Sequence, residues 1–171
     1  AEYEGTRHNT GARVLAAFRE KNRNKKLILL SPTTYMNKSG EAVAKVVKSK
    51  KAVANLVVIH DDLDLPLGKF KISFGRGAGG HRGVESVIKK LKTRDFIRLR
   101  VGIAPASSPP AGRAGAGKPK KPIGEKAVVD FILSKFTPQE EQKLKKLMPK
   151  LLEALAVITA EGLAAAMNRF N

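Results

Sequence analysis

An apolar run that ends in a cluster of acidic residues constrains this fold more than any other feature of the sequence. The segment from Leu56 to Ile59 is bounded by polar residues, a pattern that predicts a buried β-strand. The residues that follow, His60 to Gly68, include several aspartates. Open α/β sheets place their chemistry beyond the carboxyl ends of their strands. The pattern therefore predicts an α/β fold with a candidate site directly after this strand.

Helix and strand patterns alternate along the rest of the chain. We predict strands at 26–31, 56–59, 69–74 and 98–103. We predict four helices: one over 10–18, one over 41–48, one that follows the glycine-rich loop 75–80, and one that begins at 137. This alternation predicts one three-layer domain over residues 1–171, with helices on both faces of a twisted mixed β-sheet. The last long helix has a clear start, since Thr137 is a good N-cap and Glu140 completes a capping box. Pro149 lies inside its leucine stripe and is predicted to kink or split it.

The formal charge of +18 is the second strong feature of the chain. Such an excess does not help folding, because like charges repel in the compact state. A polyanionic partner would exploit it through counterion release, so we favour a nucleic acid. Solubility or adaptation to the host's intracellular conditions is the simpler alternative. We predict that the segment 104–122, rich in Ala, Gly, Pro and Lys, is a mobile basic loop.

Several classes of protein are disfavoured by composition. The absence of cysteine excludes disulfides, thiol nucleophiles and cysteine-based metal sites. No apolar run approaches the ~20 residues of a membrane span, and no amphipathic basic helix suggests a membrane surface. No signal-peptide pattern is present, so we expect a cytoplasmic protein.

Each of the three histidines lies beside a polar cluster. A histidine is the natural general base near neutral pH, and a carboxylate best holds its tautomer. His8 is our candidate base and Asp61 its candidate partner, although an isolated His8 would more simply be a surface or capping residue. His60 and its neighbouring acids are a weak metal site, because alternate strand residues point to opposite faces.

Two loops complete the candidate site. The turn from Pro32 to Gly40 would point the amide of Asn37 into the same cleft, where it can donate to a developing oxyanion. An N-cap role for Asn37 and a core position for Tyr35 are the alternatives. The loop from Gly75 to Gly83 lacks the ending of a P-loop, so we reject a nucleotide triphosphate. Its glycines allow close approach of a ligand, or simply a flexible surface.

Taken together, these segments resemble bacterial peptidyl-tRNA hydrolases. The similar blocks span nearly the whole chain in the family's order: 2–11, 32–40, 60–71, 78–83, 98–103, 131–136 and 166–171. The resemblance implies an esterase that separates the peptide from the terminal ribose of tRNA and recycles tRNA from aborted translation. It implies a peptidyl-tRNA substrate and no metal or organic cofactor. We expect a monomer.

The resemblance also assigns roles to individual residues. His8 would activate water, Asp61 would hold and polarise His8, and Asn37 would bind the tRNA end and help to position the attacked carbonyl. The remaining positions would contact tRNA or shape the cleft. The tRNA-binding set is Tyr3, Tyr35, Asn37, Lys71, Arg82 and Arg100, and the cleft-shaping pair is Met36 and His81.

The sequence departs from the family pattern at three places. The family's first strand has no counterpart before Glu2, so we expect the sequence to be incomplete there. The stretch from Phe18 to Leu27 is shorter, as if a β-hairpin were missing. Arg82 stands where the family usually has asparagine. An arginine side chain can donate hydrogen bonds to phosphates but, unlike asparagine, cannot accept a hydrogen bond. The alternatives are a non-catalytic RNA-binding relative and, more distantly, a metal-dependent phosphoesterase that uses His60 and the acids.

Overall fold

The structure is a computed structural model that describes residues 3–22, 26–32, 35–105 and 121–171. Short 3-10 turns at Arg7–Asn9 and Met36–Lys38 precede the first two helices. In chain order, the elements of the described ranges are α1 (Thr10–Lys21), α2 (Ser39–Val46), α3 (Lys50–Ala54), β1 (Val57–Pro66), β2 (Phe70–Phe74), α4 (Arg82–Leu91), β3 (Ile97–Ala104), α5 (Glu125–Leu133), α6 (Pro138–Ala160) and α7 (Leu163–Phe170). Most of the predicted basic loop, residues 106–120, lies outside the described residues.

The sheet is mixed, as predicted. Its strand order is β1-β3-β2, with β1 parallel and β2 antiparallel to the central β3. Parallel neighbours need a crossover connection, and here β2 and α4 supply it. In register, Asp61 of β1 lies opposite Val101, and Lys71 of β2 lies opposite Arg100. The sheet thus places an acidic strand end and a basic pair on neighbouring strands.

Two apolar clusters, one on each face, confirm the three-layer arrangement. Alternate residues of β3 pack with α1, α6 and α7 on one face, while Val84, Val87 and Phe96 pack with α2 on the other. Burying a side chain of this size stabilises the fold by about 1.5–3 kcal/mol. The fully buried members of the first cluster include Ile72, Leu99, Val101, Ile103, Leu144 and Leu151.

Helix α6 begins as predicted but is not split. Glu140 N donates to Thr137 Oγ1 and Thr137 N donates to Glu140 Oε2, which together form the capping box. The helix runs through Pro149 for 23 residues. Leucines before and after the proline are buried in the same core, and their packing outweighs the one backbone hydrogen bond that proline removes. Within the described ranges, no helix is both long enough and apolar enough to cross a membrane.

The strand predicted at 26–31 is wrong. Residues 26–32 run as irregular chain, and the outer edge of β1 has no strand partner among the described residues. A cavity of about 1250 Å³ with largely apolar walls lies beside β1, and Leu27, Leu29 and Ile59 line it. The apolar pattern was correct, but a strand forms only when a neighbour pairs with its backbone, and residues 26–31 pair with no strand of the described ranges.

Helix α1 lies directly against β1. A Cβ at Gly11 would come 2.3 Å from the carbonyl oxygen of Ile59, so no larger residue fits without a backbone shift. The turn that carries His8 immediately precedes this helix. This close approach brings the amino end of α1 to the middle of β1, where Asp61 lies.

Candidate active site

Asp61 is the centre of the site. The strand predicted to end at Ile59 runs on to Pro66, so Asp61 lies midway along β1 rather than after it, and its side chain is 4% exposed. Two histidines from different parts of the chain bind its carboxylate. The 3-10 turn Arg7–Asn9 supplies His8, and the amino end of α4 supplies His81.

The hydrogen bond between His8 and Asp61 decides which nitrogen of His8 carries the proton. His8 Nδ1 lies 3.0 Å from Asp61 Oδ1 and 3.0 Å from Asp61 Oδ2. A carboxylate is only an acceptor, so Nδ1 must hold the proton. In the neutral ring Nε2 is then an unprotonated acceptor, as a general base requires. The predicted pairing of His8 with Asp61 is present.

His81 binds the same carboxylate with its other nitrogen. His81 Nε2 donates to Asp61 Oδ1 at 3.0 Å, while His81 Nδ1 accepts from Val84 N at 3.2 Å and caps α4. The rings of His8 and His81 lie side by side, with centroids 5.0 Å apart. Asp61 therefore orients two imidazoles, one more than the sequence predicted.

The charges in this cluster stabilise one another. Burial by itself raises the pKa of Asp61, but the charge of His81 and the hydrogen bonds from His8 and His81 outweigh it and hold the pKa below its usual range. For His81, burial lowers the pKa, whereas the charge and hydrogen bond of Asp61 raise it, and the net change is upward. Asp61 is therefore ionised at neutral pH and provides a permanent negative charge beside both rings.

His60 is a third, different histidine in this cluster. It is buried, its Nδ1 donates to the carbonyl oxygen of Asp61 at 2.7 Å, and its ring lies 4.9 Å from that of His81. Burial, together with repulsion from His81, lowers the pKa of His60 to about 4. Its Nε2 is buried without a hydrogen bond. His60 is therefore neutral at pH 7 and supports the backbone of Asp61.

The acids that follow Asp61 do not join His60 in a metal site. Asp62 Oδ2 accepts from Arg100 Nε at 2.6 Å, and Asp62 Oδ1 accepts from the amide of Asp64 at 2.7 Å. One nitrogen of His8, one of His81 and a carboxylate oxygen of Asp61 do lie within 4.8 Å of one another. Both nitrogens, however, donate protons to Asp61, and a metal would have to displace those protons. The donor set fits a hydrogen-bonded triad better than a metal site.

The predicted aromatic and cleft residues lie around this triad. Tyr3 packs its ring edge-on to His8 with centroids 5.6 Å apart, and the exposed Tyr35 lines the cavity with Met36. Asn37 is exposed on the turn Met36–Lys38, and its side chain makes no hydrogen bond to the described residues. The structure therefore brings the turn of Asn37 to the cleft but leaves its amide outside the triad.

Gly83 was not singled out by the sequence analysis. A Cβ at this position would lie 2.6 Å from Met36 Sδ and 3.0 Å from His81 Cε1. The missing side chain lets the Asn37 turn pack against the start of α4. The sequence did carry a signal for this contact. Glycine is disfavoured within helices, so a glycine in the first turn of a helix beside a candidate histidine indicates a close approach.

The predicted basic residues lie on the neighbouring strands and on α4. Lys71 is exposed, and Arg100 lies beside it and donates from its Nε to Asp62. Arg82 is exposed and pairs with Glu125 at the start of α5. This ion pair joins α4 to α5 across the surface, a contact that the sequence did not predict.

Comparisons with known proteins agree with this geometry. The family model described as peptidyl-tRNA hydrolase matches residues 1–171. The peptidyl-tRNA hydrolase of Thermodesulfovibrio yellowstonii is 38% identical over 190 aligned positions, covering 99% of this chain and 92% of that protein. That of Chloroflexus aggregans is 35% identical with the same two coverages. The crystal structure of the Acinetobacter baumannii enzyme superposes with a TM-score of 0.77 at 25% identity, covering 99% of this chain and 88% of that one. The chain therefore belongs to the peptidyl-tRNA hydrolase family.

Proposed function

We propose that the chain hydrolyses the ester between the peptide and the terminal ribose of tRNA in peptidyl-tRNA, with His8 as the general base. The observation that carries this proposal is the pairing of His8 Nδ1 with both oxygens of Asp61 at 3.0 Å. The pairing fixes the tautomer in which Nε2 accepts a proton. The substrate is inferred from family membership, and the general-base role of His8 is inferred from this pairing.

The reaction is a water attack in two steps. His8 Nε2 removes a proton from water as the water oxygen bonds to the ester carbonyl carbon, giving a tetrahedral oxyanion. The intermediate collapses, the bond to the ribose oxygen breaks, and the imidazolium of His8 returns the proton to that oxygen. The products are free tRNA and a peptide carboxylic acid, which releases its proton to solvent at neutral pH, and no electrons are exchanged. Asp61 stabilises the imidazolium that forms between the steps.

Other polar groups assist these steps. His81, the second donor to Asp61, prevents that carboxylate from rotating away from His8. Asn37 lies exposed on the turn Met36–Lys38, where its amide is available to donate to the oxyanion or to the tRNA end. Tyr3 and Tyr35 offer faces on which the terminal bases of tRNA stack.

A basic surface next to the triad holds the tRNA. Lys71 and Arg100 are register partners on β2 and β3, and Arg82 lies at the start of α4. The +18 charge of the chain supports a polyanionic substrate, which binds by counterion release. Affinity for tRNA therefore falls as salt rises, and each of Lys71→Ala and Arg100→Ala reduces the salt slope by about 1.

The test is hydrolysis of an N-blocked aminoacyl-tRNA by the wild type and His8→Ala, each with and without a chelator. Loss of the base should lower kcat about 10²–10⁴-fold and leave tRNA affinity nearly unchanged. The chelator should have no effect. Substantial activity in His8→Ala would reject His8 as the base, and inhibition by the chelator would favour the metal-dependent alternative. An inactive wild type that binds tRNA would favour the RNA-binding alternative.

We also propose that the chain acts as a monomer in the cytoplasm, where translation produces its substrate. Its catalytic groups all come from one chain, which supports a monomer. Size-exclusion chromatography with light scattering, with and without tRNA, measures this directly.

A further inference from the structure

Arg7, the residue before His8, is buried to an unusual degree for an arginine. Only 5% of its surface is exposed, yet its guanidinium always carries a charge. Arginines are almost never buried unless they are paired. The groups that pair with the guanidinium therefore indicate the role of Arg7.

Its guanidinium is bound on two sides. Nη1 and Nη2 donate to the two carboxylate oxygens of Glu140 at 3.0 and 2.6 Å, and Nε donates to Ser134 Oγ at 3.1 Å. Such a bidentate pair fixes the plane of the group as well as its distance. Glu140 is itself held by the amide of Thr137 at the start of α6. The arginine is thus tied to the capped amino end of the long helix α6.

Two aromatic rings hold the same group by its faces. The guanidinium carbon of Arg7 lies 4.5 Å from the centroid of Phe131 and 4.7 Å from that of Phe136. A planar cation suits this space, whereas an ammonium does not stack in the same way. We call Arg7, Phe131, Ser134, Phe136 and Glu140 the Arg7 clamp.

The backbone around Arg7 is fixed by the same segment. Arg7 N donates to the carbonyl oxygen of Ser134 at 3.0 Å, and Thr6 forms an isolated β-bridge with Lys135. On the other side, Thr10 Oγ1 donates to the carbonyl oxygen of Arg7 at 2.7 Å. The turn Arg7–Asn9 is therefore attached to the α5–α6 connection on its outer side, while His8 faces Asp61 on its inner side.

We propose that Arg7 is a positioning residue for His8: the Arg7 clamp holds the turn Arg7–Asn9 in the position from which His8 Nδ1 donates to both oxygens of Asp61. The proposal rests on the proposed role of His8 as base. The side chain of Arg7 is buried and bonds to Ser134 and Glu140 rather than to Asp61, so it acts through the backbone that it shares with His8. A misplacement of about 1 Å at a reacting group can cost about 10²-fold in rate, so a weaker clamp should reduce kcat.

A neighbouring pair offers a matched control. Arg13 donates to both oxygens of Glu141 at 2.8 and 2.7 Å, and its guanidinium carbon lies 5.8 Å from the Phe136 centroid. This pair also joins the amino-terminal segment to α6, but Arg13 lies inside α1, away from the turn of His8. Arg13→Lys therefore removes the same chemical features without touching that turn.

The experiment compares Arg7→Lys with Arg13→Lys in the full chain, below the melting temperature of each variant. Lysine keeps the charge but loses the planar fork. For Arg7→Lys we expect kcat to fall about 10²-fold with KM within about threefold. For Arg13→Lys we expect both constants within about twofold. In proton NMR, the low-field signal of His8 Nδ1–H, assigned by its loss in His8→Asn, should broaden or shift only in Arg7→Lys.

A second variant keeps the test decisive if Arg7→Lys does not fold. Glu140→Gln preserves the capping box, in which glutamine also serves, but removes one acceptor from Arg7. We expect kcat to fall about tenfold with the same NMR change. Unchanged kcat and NMR signal in folded Arg7→Lys or Glu140→Gln, or an equal loss in Arg13→Lys, would overturn the proposal. If His8→Asn stayed active, the proposed function would fail, while the NMR comparison would still report on the clamp.

Discussion

The triad around Asp61 and the apolar cavity beside β1 meet at one wall, yet they are built in opposite ways. In the triad, both carboxylate oxygens accept hydrogen bonds from imidazoles at 3.0 Å. In the cavity, apolar side chains border about 1250 Å³, and the outer edge of β1 has no strand partner among the described residues. The polar side chains are fixed by directional bonds, whereas the apolar walls border open space instead of close-packed neighbours. Catalytic geometry and local stability should therefore respond to different mutations.

The largest effect should come from breaking the triad at Asp61. In Asp61→Asn, one oxygen becomes an amide that donates, so His8 or His81 must change tautomer or lose its bond. We expect kcat to fall about 10²–10⁴-fold, since a wrongly protonated His8 is no base. Single-turnover hydrolysis with excess enzyme measures this loss.

Asp62→Asn is the matched control for that change. Asp62 is the next residue and also largely buried, but it binds Arg100 rather than a histidine. We expect it to alter tRNA affinity and leave the chemical step within about threefold. Equal losses of the chemical step in the two variants would mean that charge near the site, rather than the triad, matters.

The next prediction compares the loss of stability caused by a mutation in the packed core with that caused by a mutation in the cavity wall. Leu99 is fully buried on β3, so Leu99→Ala should lower the free energy of unfolding by about 2–5 kcal/mol. Leu27 is only partly buried where it lines the cavity, so Leu27→Ala should cost less, about 1 kcal/mol. Urea unfolding of both variants gives the comparison. Similar costs would show that the cavity closes in solution.

The most gradual effect concerns the pH dependence of stability, because it is spread over the range between pH 4 and 6.5. Folding lowers the pKa of His60 from 6.5 to about 4, so between these values the unfolded chain binds more protons and stability rises with pH. The full contribution is about 3 kcal/mol, lost as pH falls through this window. The raised pKa of His81 acts above pH 6.5, where stability falls with rising pH, and the lowered pKa of Asp61 acts below pH 3.8.

His60→Asn separates this contribution from the others. We expect the free energy of unfolding of the variant to change much less between pH 4.5 and 6.5 than that of the wild type. Urea titrations at several pH values measure the slopes. Parallel curves for the two proteins would show that His60 titrates normally in the folded state.

Features set by near neighbours in the chain were predictable from the sequence. The capping box of Thr137 and Glu140 spans four residues, and the apolar stripe after it marks the buried face of α6. Such signals depend on helix geometry and side-chain chemistry alone. The strand at 26–31 failed for the opposite reason, because pairing requires a partner from another part of the chain. At Pro149, core packing overrode a correct local rule.

By itself, the sequence determined the alternation of helices and strands, the positive charge and the groups that we propose for hydrolysis. Only the tertiary structure decided which of these groups meet. His8 and Asp61 are 53 residues apart and His81 is 20 residues from Asp61, yet each bond forms at 3.0 Å. It also revealed the Arg7 clamp, whose members lie more than 120 residues from Arg7. A hydrogen bond tolerates a variation of only a few tenths of an ångström in its donor–acceptor distance. Such distances are therefore set by the packing of whole elements and not by local sequence preference.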